Sequence, residues 1–325
     1  MLSREVRLVR RPEGALRPED LAIVEREVTD PAEGEVLIRN LLLSVPPAMN
    51  PRMIAGETMA GGAIGRIEKS RNPSFLEGDL VSHRFGFREV FISDGKGLAL
   101  IRPDTDLPLA VYLHALSESS GFIAYGGILH IAQLQEGEQV FVSTAGGSVG
   151  SIAAQIAKIK GCYVVGSTGS DEKVRWLKTE AGLDEAFNYK SAPVRGQLKT
   201  LMPRGIDVYF DNVGGDHLDG ALAQMNVLGR VAISGMISGY NEPGGRTVVR
   251  NLSNSIYRRV TLRGFTVADF IHLKDQFESD MTGWLRDGRI KYHETIYDGI
   301  AKAPAAIIDL MGGANLGKML VRLAH

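Results

Sequence analysis

One short run constrains the fold more than any other. Gln139-Val140-Phe141-Val142-Ser143 is an apolar strand, and it passes directly into Thr144-Ala145-Gly146-Gly147-Ser148-Val149-Gly150. A helix follows: residues 149–160 place Ile152, Ile156 and Ile159 on one face, and Ala153, Ala154 and Ala157 allow close packing. Strand, Gly-rich turn and helix together form the dinucleotide turn of the Rossmann fold. Ala145 takes the first glycine position, Gly147 the second and Gly150 the third. Gly147 lets the backbone approach a pyrophosphate, and Gly150 lets the helix pack on the strand. The helix N-terminus at Ser148 and Val149 supplies unpaired N–H groups. A Gly-rich turn alone is weak evidence; the strand before it and the helix after it make a plain tight turn the lesser reading.

The surrounding sequence agrees. Tyr163-Val164-Val165-Gly166 is a next strand and 171–180 a next helix; Ile206-Asp207-Val208-Tyr209-Phe210, Arg230-Val231-Ala232-Ile233-Ser234 and Val260-Thr261-Leu262-Arg263-Gly264-Phe265 are further strands. Strands alternating with helices predict an α/β doubly wound parallel sheet covered on both faces. The first third differs. Its short strands, such as Glu35-Val36-Leu37-Ile38-Arg39, Gly62-Ala63-Ile64-Gly65-Arg66-Ile67 and Asp79-Leu80-Val81, are punctuated by Gly, Pro and Asp, and predict a mostly β domain. Residues 293–325 read as strand, helix, strand, too short to fold alone. We expect them to return to the first domain, giving 1–118 plus 289–325 as one domain and 119–288 as an inserted nucleotide domain.

The cofactor type is legible next. An NAD site carries an acid about 20 residues past the loop, on the ribose 2′-OH. Here that stretch is Ser167-Thr168-Gly169-Ser170, with no acid, which favours NADP(H). Ser170 reads as an N-cap, so Lys173 falls in the first helical turn, where a cation opposes the helix dipole at a cost of several tenths of a kcal/mol. A bound phosphate offsets that cost; the competing reading is a surface lysine. Asp171 and Glu172 read as acids favoured by the helix N-terminus.

Composition excludes several alternatives. Lys plus Arg (37) nearly cancels Asp plus Glu (38) in 325 residues, so nothing argues for nucleic acid or an anionic membrane. There is no apolar run of about 18 residues to span a bilayer and no apolar leader at the N-terminus. Cys162 is the only cysteine, which fits a reducing cytoplasm. A structural zinc site needs about four Cys or His ligands. The seven histidines show no metal-ligand spacing, so no metal is expected.

Longer motifs carry a resemblance. Val164-Val165-Gly166-Ser167-Thr168-Gly169-Ser170-Asp171-Glu172-Lys173 is followed by Ala186-Phe187-Asn188-Tyr189-Lys190, then by Phe210-Asp211-Asn212-Val213-Gly214-Gly215, then by Gly229-Arg230-Val231-Ala232-Ile233-Ser234-Gly235-Met236-Ile237-Ser238-Gly239-Tyr240-Asn241. With Leu43-Ser44-Val45, Gly121-Phe122-Ile123-Ala124-Tyr125 and Asn315-Leu316-Gly317-Lys318, they resemble the zinc-independent medium-chain dehydrogenase/reductases. Within these they resemble the branch of prostaglandin reductase, leukotriene 12-hydroxydehydrogenase and alkenal double-bond reductases. The resemblance implies a GroES-like β domain flanking the Rossmann domain, the cofactor in the cleft between them, and a homodimer. It implies that Lys173 and Tyr189, beside Thr168 and Gly169, hold the 2′-phosphate. Asn212, Val213, Met236, Ser238 and Tyr240 would line the pyrophosphate and nicotinamide ribose. Phe265 and Val267 would hold the carboxamide, and Asn315, with Gly317, would close over the cofactor.

The sequence departs from that branch where substrate should lie. The branch often reads Asp-Pro-Tyr-Met-Arg after Leu-Ser-Val; this chain reads Pro46-Pro47-Ala48-Met49-Asn50. Phe87 stands for a Trp, Ser119-Ser120 for Met-Pro, and Gly121-Phe122-Ile123 for Gly-Leu-Thr. Ala48, Met49, Phe87 and Ile123 are the candidate substrate pocket. The resemblance implies hydride transfer from NADPH to the β-carbon of a small electrophilic enone or enal. Tyr240 is the candidate acid: a tyrosine hydroxyl, protonated at neutral pH, donates without metal help. Packing of Tyr240 on the ribose is the equal alternative. A quinone reductase of the same superfamily and a non-catalytic NADPH-binding protein remain open beside it.

Overall fold

The computed structural model describes residues 1–12, 14–47, 54–103, 106–240 and 248–324. Ala48 and Met49 of the candidate pocket lie outside the described residues. The chain divides into two compact units, Met1–Leu113 with Glu294–His325, and His114–His293.

In chain order the first unit contributes β1 (Leu2–Leu8), β2 (Leu21–Glu27), β3 (Val36–Ser44), β4 (Ala63–Ser70), β5 (Leu80–His83), β6 (Val90–Ser93) and β7 (Ala99–Ile101). The second unit holds β8 (Gln139–Val142), β9 (Tyr163–Thr168), β10 (Glu185–Asn188), β11 (Ile206–Asp211), β12 (Met225–Ile233) and β13 (Thr261–Gly264). The chain then returns to the first unit with β14 (Glu294–Asp298), the helix Ala303–Met311 and β15 (Lys318–Arg322).

The first unit is built around β3, which is apolar on both faces and buried along nearly its whole length. It pairs antiparallel with β4, β6 and β15, the last with Leu320 opposite Ser44. The C-terminal strands thus complete a seven-stranded sheet begun by the N-terminal third. The Ala303–Met311 helix buries Ala303, Ala306 and Ile307 in one cluster with Val6, Leu43, Met59 and Phe87. Phe87 is fully buried there and touches the backbone closely: a Cβ at Gly61 would come within 2.8 Å of its ring. Each such aromatic contributes about 1.5–3 kcal/mol of burial.

The second unit is the expected parallel sheet, in the order β10-β9-β8-β11-β12-β13. Counted within the unit this is 3-2-1-4-5-6, the doubly wound order that opens a crevice at the carboxyl ends of the first and fourth strands. The Ser148–Ile159 helix buries Ile152, Ala153, Ala154, Ile156 and Ala157 fully. The strand expected at Arg230 begins earlier, at Met225. Leu228 sits in a left-handed conformation (φ 63°) and kinks the lead-in, which hides it from a period-two reading.

Residues 118–131 form one helical stretch of unusual winding. Glu118–Phe122 and Gly126–Ile131 are π-helical, and Ile123–Tyr125 between them is α-helical. Glycines permit its packing. A Cβ at Gly121 would lie 1.7 Å from the Ala115 carbonyl oxygen, and one at Gly127 would meet the Phe265 ring at 2.5 Å. Gly121→Ala therefore lowers the urea midpoint, by roughly 1–3 kcal/mol of stability or more. Gly283, inside the Lys274–Arg286 helix, has open space at its Cβ. Gly283→Ala raises stability by about 0.5–1 kcal/mol. Equal midpoints for the two variants would contradict this packing.

Candidate active site

The carboxyl ends of β8 and β11 are tied by a buried polar cluster. Asp211 is wholly buried, and its Oδ1 accepts from the Tyr209 hydroxyl (2.5 Å), the Val213 and Gly214 N–H groups (both 2.9 Å) and the Ser143 hydroxyl (3.3 Å). Burial pushes the Asp211 carboxyl up, and the four donors push back. Ser143 Oγ in turn accepts from the Asn212 N–H (2.9 Å), and Asn212 Nδ2 donates to the Ser143 carbonyl (2.7 Å). The backbone of Asn212, Val213 and Gly214 is thereby fixed at the crevice. Sequence reading named Asn212 and Val213 but missed Asp211; a carboxylate closing an apolar strand was the available signal.

The loop after β8 turns at Thr144, which is left-handed (φ 51°), and Gly147 caps the helix in extended conformation without a side-chain partner. No acid stands in the helix's first turn. The N–H groups of the first turn are the unsatisfied donors that any such helix presents. Gly150 is required by space: a Cβ there would lie 2.3 Å from the Thr144 carbonyl oxygen. Ala145 is fully buried and donates its N–H to Ser167 across to β9 (2.8 Å). Ser148 Oγ donates to Ser120 Oγ (2.7 Å), joining the loop to the 118–131 stretch that carries Ile123.

At the ends of β9 and β10 the structure gathers Thr168, Gly169, Lys173 and Tyr189. Ser170 caps the Asp171–Thr179 helix, its hydroxyl accepting from the Lys173 N–H (3.4 Å). Lys173 is 9% exposed and lies across Gly146, where a Cβ would meet its Cβ at 3.2 Å and the Thr168 hydroxyl at 2.7 Å. Burial pushes the Lys173 ammonium down, Lys190 adds to that, and Glu172 opposes it. Asp171 is engaged elsewhere, accepting from Asn188 Nδ2 (2.9 Å). Tyr189 hangs over Gly169, where a Cβ would meet its hydroxyl at 3.2 Å, and its ring stands edge-on to His217 at 5.1 Å. Gly146, Lys190 and His217 were not among the expected residues. Gly146 lies between two glycine-motif positions, and the contact from His217 crosses elements.

The expected ribose and nicotinamide residues follow β12 and β13. Ser238 Oγ donates to the Val213 carbonyl (2.6 Å), and Met236 packs over Gly214, whose φ is 69°. A Cβ at Gly235 would meet the Tyr240 hydroxyl at 3.4 Å and the Asn212 carbonyl at 3.3 Å, so Tyr240 reaches back toward Asn212. Phe265 lies against Phe210 and Phe270, and Val267 opens a turn fixed by Asp269 on the Thr266 N–H (2.8 Å). Asn315 belongs to the first unit, where it is buried and its Nδ2 donates to the Gly317 carbonyl (2.7 Å). Phe87, also of the first unit, is a core residue. Among the described residues no three His, Cys, Asp or Glu side chains cluster to hold a metal ion, and no helix is long and apolar enough to cross a membrane.

His217 makes the site's neighbourhood sensitive to acid. Burial holds its pKa near 4, with Asp216 opposing. The unfolded chain takes up a proton below about 6.5 and the folded chain does not until about 4, so stability falls as pH drops through that window. This residue should cost about 2 kcal/mol between pH 7 and pH 5. His217→Phe removes that share, read as a shallower loss of urea stability between the two pH values; an unchanged loss would contradict it.

Two family models match the chain: an N-terminal domain of oxidoreductase over residues 4–101, and a zinc-binding dehydrogenase model over residues 148–285. Prostaglandin reductase 1 of Rattus norvegicus is 41% identical over 89% of each chain. The 2-alkenal reductase (NADP(+)-dependent) of Nicotiana tabacum is 38% identical over 90% of this chain and 88% of its own. A crystal structure of CurA in complex with NADPH from Vibrio vulnificus superposes with a TM-score of 0.93 at 34% identity over 99% of both chains. The chain belongs to the medium-chain dehydrogenase/reductase family, in the branch of the prostaglandin and alkenal reductases.

Proposed function

We propose that this chain is an NADPH-dependent reductase of the C=C bond of α,β-unsaturated ketones or aldehydes, acting without a metal. The observation that carries the reading is Lys173. Its ammonium is nearly buried, has a second cation near it at Lys190 and sits in a helix's first turn, so its surroundings are electropositive and suit an anion. It lies where a doubly wound sheet receives the adenosine end of a dinucleotide, which fits a 2′-phosphate. The names of the relatives support the choice: the tobacco enzyme is NADP-dependent, and the Vibrio protein was crystallised with NADPH.

The residues fit the cofactor. The first-turn N–H groups at Ser148, Val149 and Gly150 would face the pyrophosphate, and Gly147 leaves room for it. Lys173 and Tyr189 would grip the 2′-phosphate, and the backbone around Phe265 and Val267 would meet the carboxamide. Bound NADPH supplies a hydride, which adds to the β-carbon of the substrate. The chain's task is then to stabilise negative charge on the substrate's carbonyl oxygen and to deliver a proton. Tyr240 is suited to donate to that oxygen, and the Asp211 cluster keeps the neighbouring Asn212 backbone rigid. Ile123 is the pocket residue proposed from the 118–131 stretch. A homodimer and a cytoplasmic location complete the proposal.

The test follows NADPH and NADH absorbance, in chelator, against enones, enals and quinones. The reading predicts rapid loss of NADPH with enones and the saturated product. Turnover of quinones alone would move the assignment to quinone reduction, and NADPH binding without turnover would make the chain a binder. Lys173→Ala should raise the NADPH KM about 30- to 100-fold while leaving NADH nearly unchanged. Tyr240→Phe should lower kcat about 100-fold with little change in the NADPH KM; an unchanged kcat would remove Tyr240 from the chemistry.

A further inference from the structure

The first unit carries a charged depression for which the proposed reductase chemistry has no use. Alternation along β1 puts Ser3, Glu5 and Arg7 on one face. Arg26 of β2 stands directly opposite Ser3 and joins them. Isolated bridges bring Arg88 opposite Glu5 and Thr58 opposite Arg7. Arg7, Arg26 and Arg88, with Gly56, Glu57 and Thr58, line a depression of about 330 Å³.

Its charges do not balance. Glu5 is buried and accepts from Arg7 at 2.7 and 2.8 Å, so that carboxylate is engaged by one guanidinium. Arg26 has no ion pair among the described residues. Arg88 lies 5.6 Å over the Phe91 ring, and its buried Nε has no hydrogen-bond partner among the described residues. Burial pushes the Arg88 guanidinium down; Glu5 opposes this, and Arg26 and Arg7 add to it. Three guanidiniums against Glu5 and Glu57 leave one net positive charge facing the depression. A buried donor without a partner is costly, and a guanidinium fork matches two oxygens of a phosphate or carboxylate. Since one water occupies about 30 Å³ of liquid, the volume exceeds a bare oxyanion and leaves room for an organic remainder.

We propose that this depression binds a small oxyanionic metabolite, phosphorylated or carboxylated, held by Arg7, Arg26 and Arg88. The lining residues all belong to the first unit, and the proposal does not depend on the reductase reading.

The experiment is a melting titration of the full chain with inorganic phosphate and, separately, malonate. NADPH is kept at saturation, and sodium chloride at equal ionic strength is the control. The proposal expects a saturable rise in Tm with at least one anion beyond the chloride control. Phosphate alone assigns a phosphoryl ligand, malonate alone a carboxylate, and both a shared oxyanion site. Arg26→Gln and Arg88→Gln should each move the half-saturating concentration upward at least tenfold. Arg26 is exposed on its strand, so its variant carries the test if Arg88→Gln fails to fold. No rise beyond chloride, or a rise that Arg26→Gln leaves unchanged, overturns the proposal. Failure of the reductase reading would show instead in NADPH turnover, so the two are read apart.

Discussion

Everything at the nucleotide crevice hangs on the tie between the ends of β8 and β11. Asn212 donates to the Ser143 carbonyl, Ser143 receives the Asn212 N–H, and Asp211 gathers the two N–H groups that follow. Two parallel strands diverge at a doubly wound switch point, and nothing in the sheet itself fixes the loops beyond them. A buried carboxylate with several donors does so, because each donor left without it would be buried and unsatisfied. Ser238 and Gly235 are then positioned against Val213 and Asn212, and the Tyr240 hydroxyl lies beside Gly235.

The second organising constraint is close packing at glycine. Gly146 admits Lys173, Gly169 admits Tyr189, Gly121 admits the Ala115 carbonyl, and Gly150 admits Thr144. These are approaches no side chain could share, and they bring cations and ring faces to the sheet's carboxyl edge. Lys173 is thereby held in a low-dielectric place, where its charge counts for more than it would at the surface. In the proposed function, that burial is what would make Lys173 discriminate in favour of a phosphate.

Much of this was legible in the sequence, for a physical reason. Local signals carried it: the apolar run before Thr144, the glycine spacing after it, the Ser170 cap three residues before Lys173, and the missing acid after β9. Each depends on neighbours along the chain. What escaped notice depends on neighbours across it. His217 meets Tyr189, Lys190 acts on Lys173, and Asp211 meets Ser143 only once the sheet has formed. Phe87 was expected at the substrate and is a fully buried core residue, because pattern alone does not tell an aromatic in a core from one in a pocket. The π-helical winding of 118–131 had no periodic signature, since its turns are set by Gly121, Gly126 and Gly127 against Ala115, Phe270 and Phe265.

The central claim is that the electron pair from the cofactor arrives at the β-carbon of a conjugated carbonyl. The direct test supplies NADPH deuterated at the transferable position, together with a simple enone in ordinary water, and locates the label in the product by mass spectrometry and NMR. The account predicts a saturated ketone with deuterium at the β-carbon and a solvent-derived proton at the α-carbon. Deuterium on the carbinol carbon of an unsaturated alcohol would contradict it.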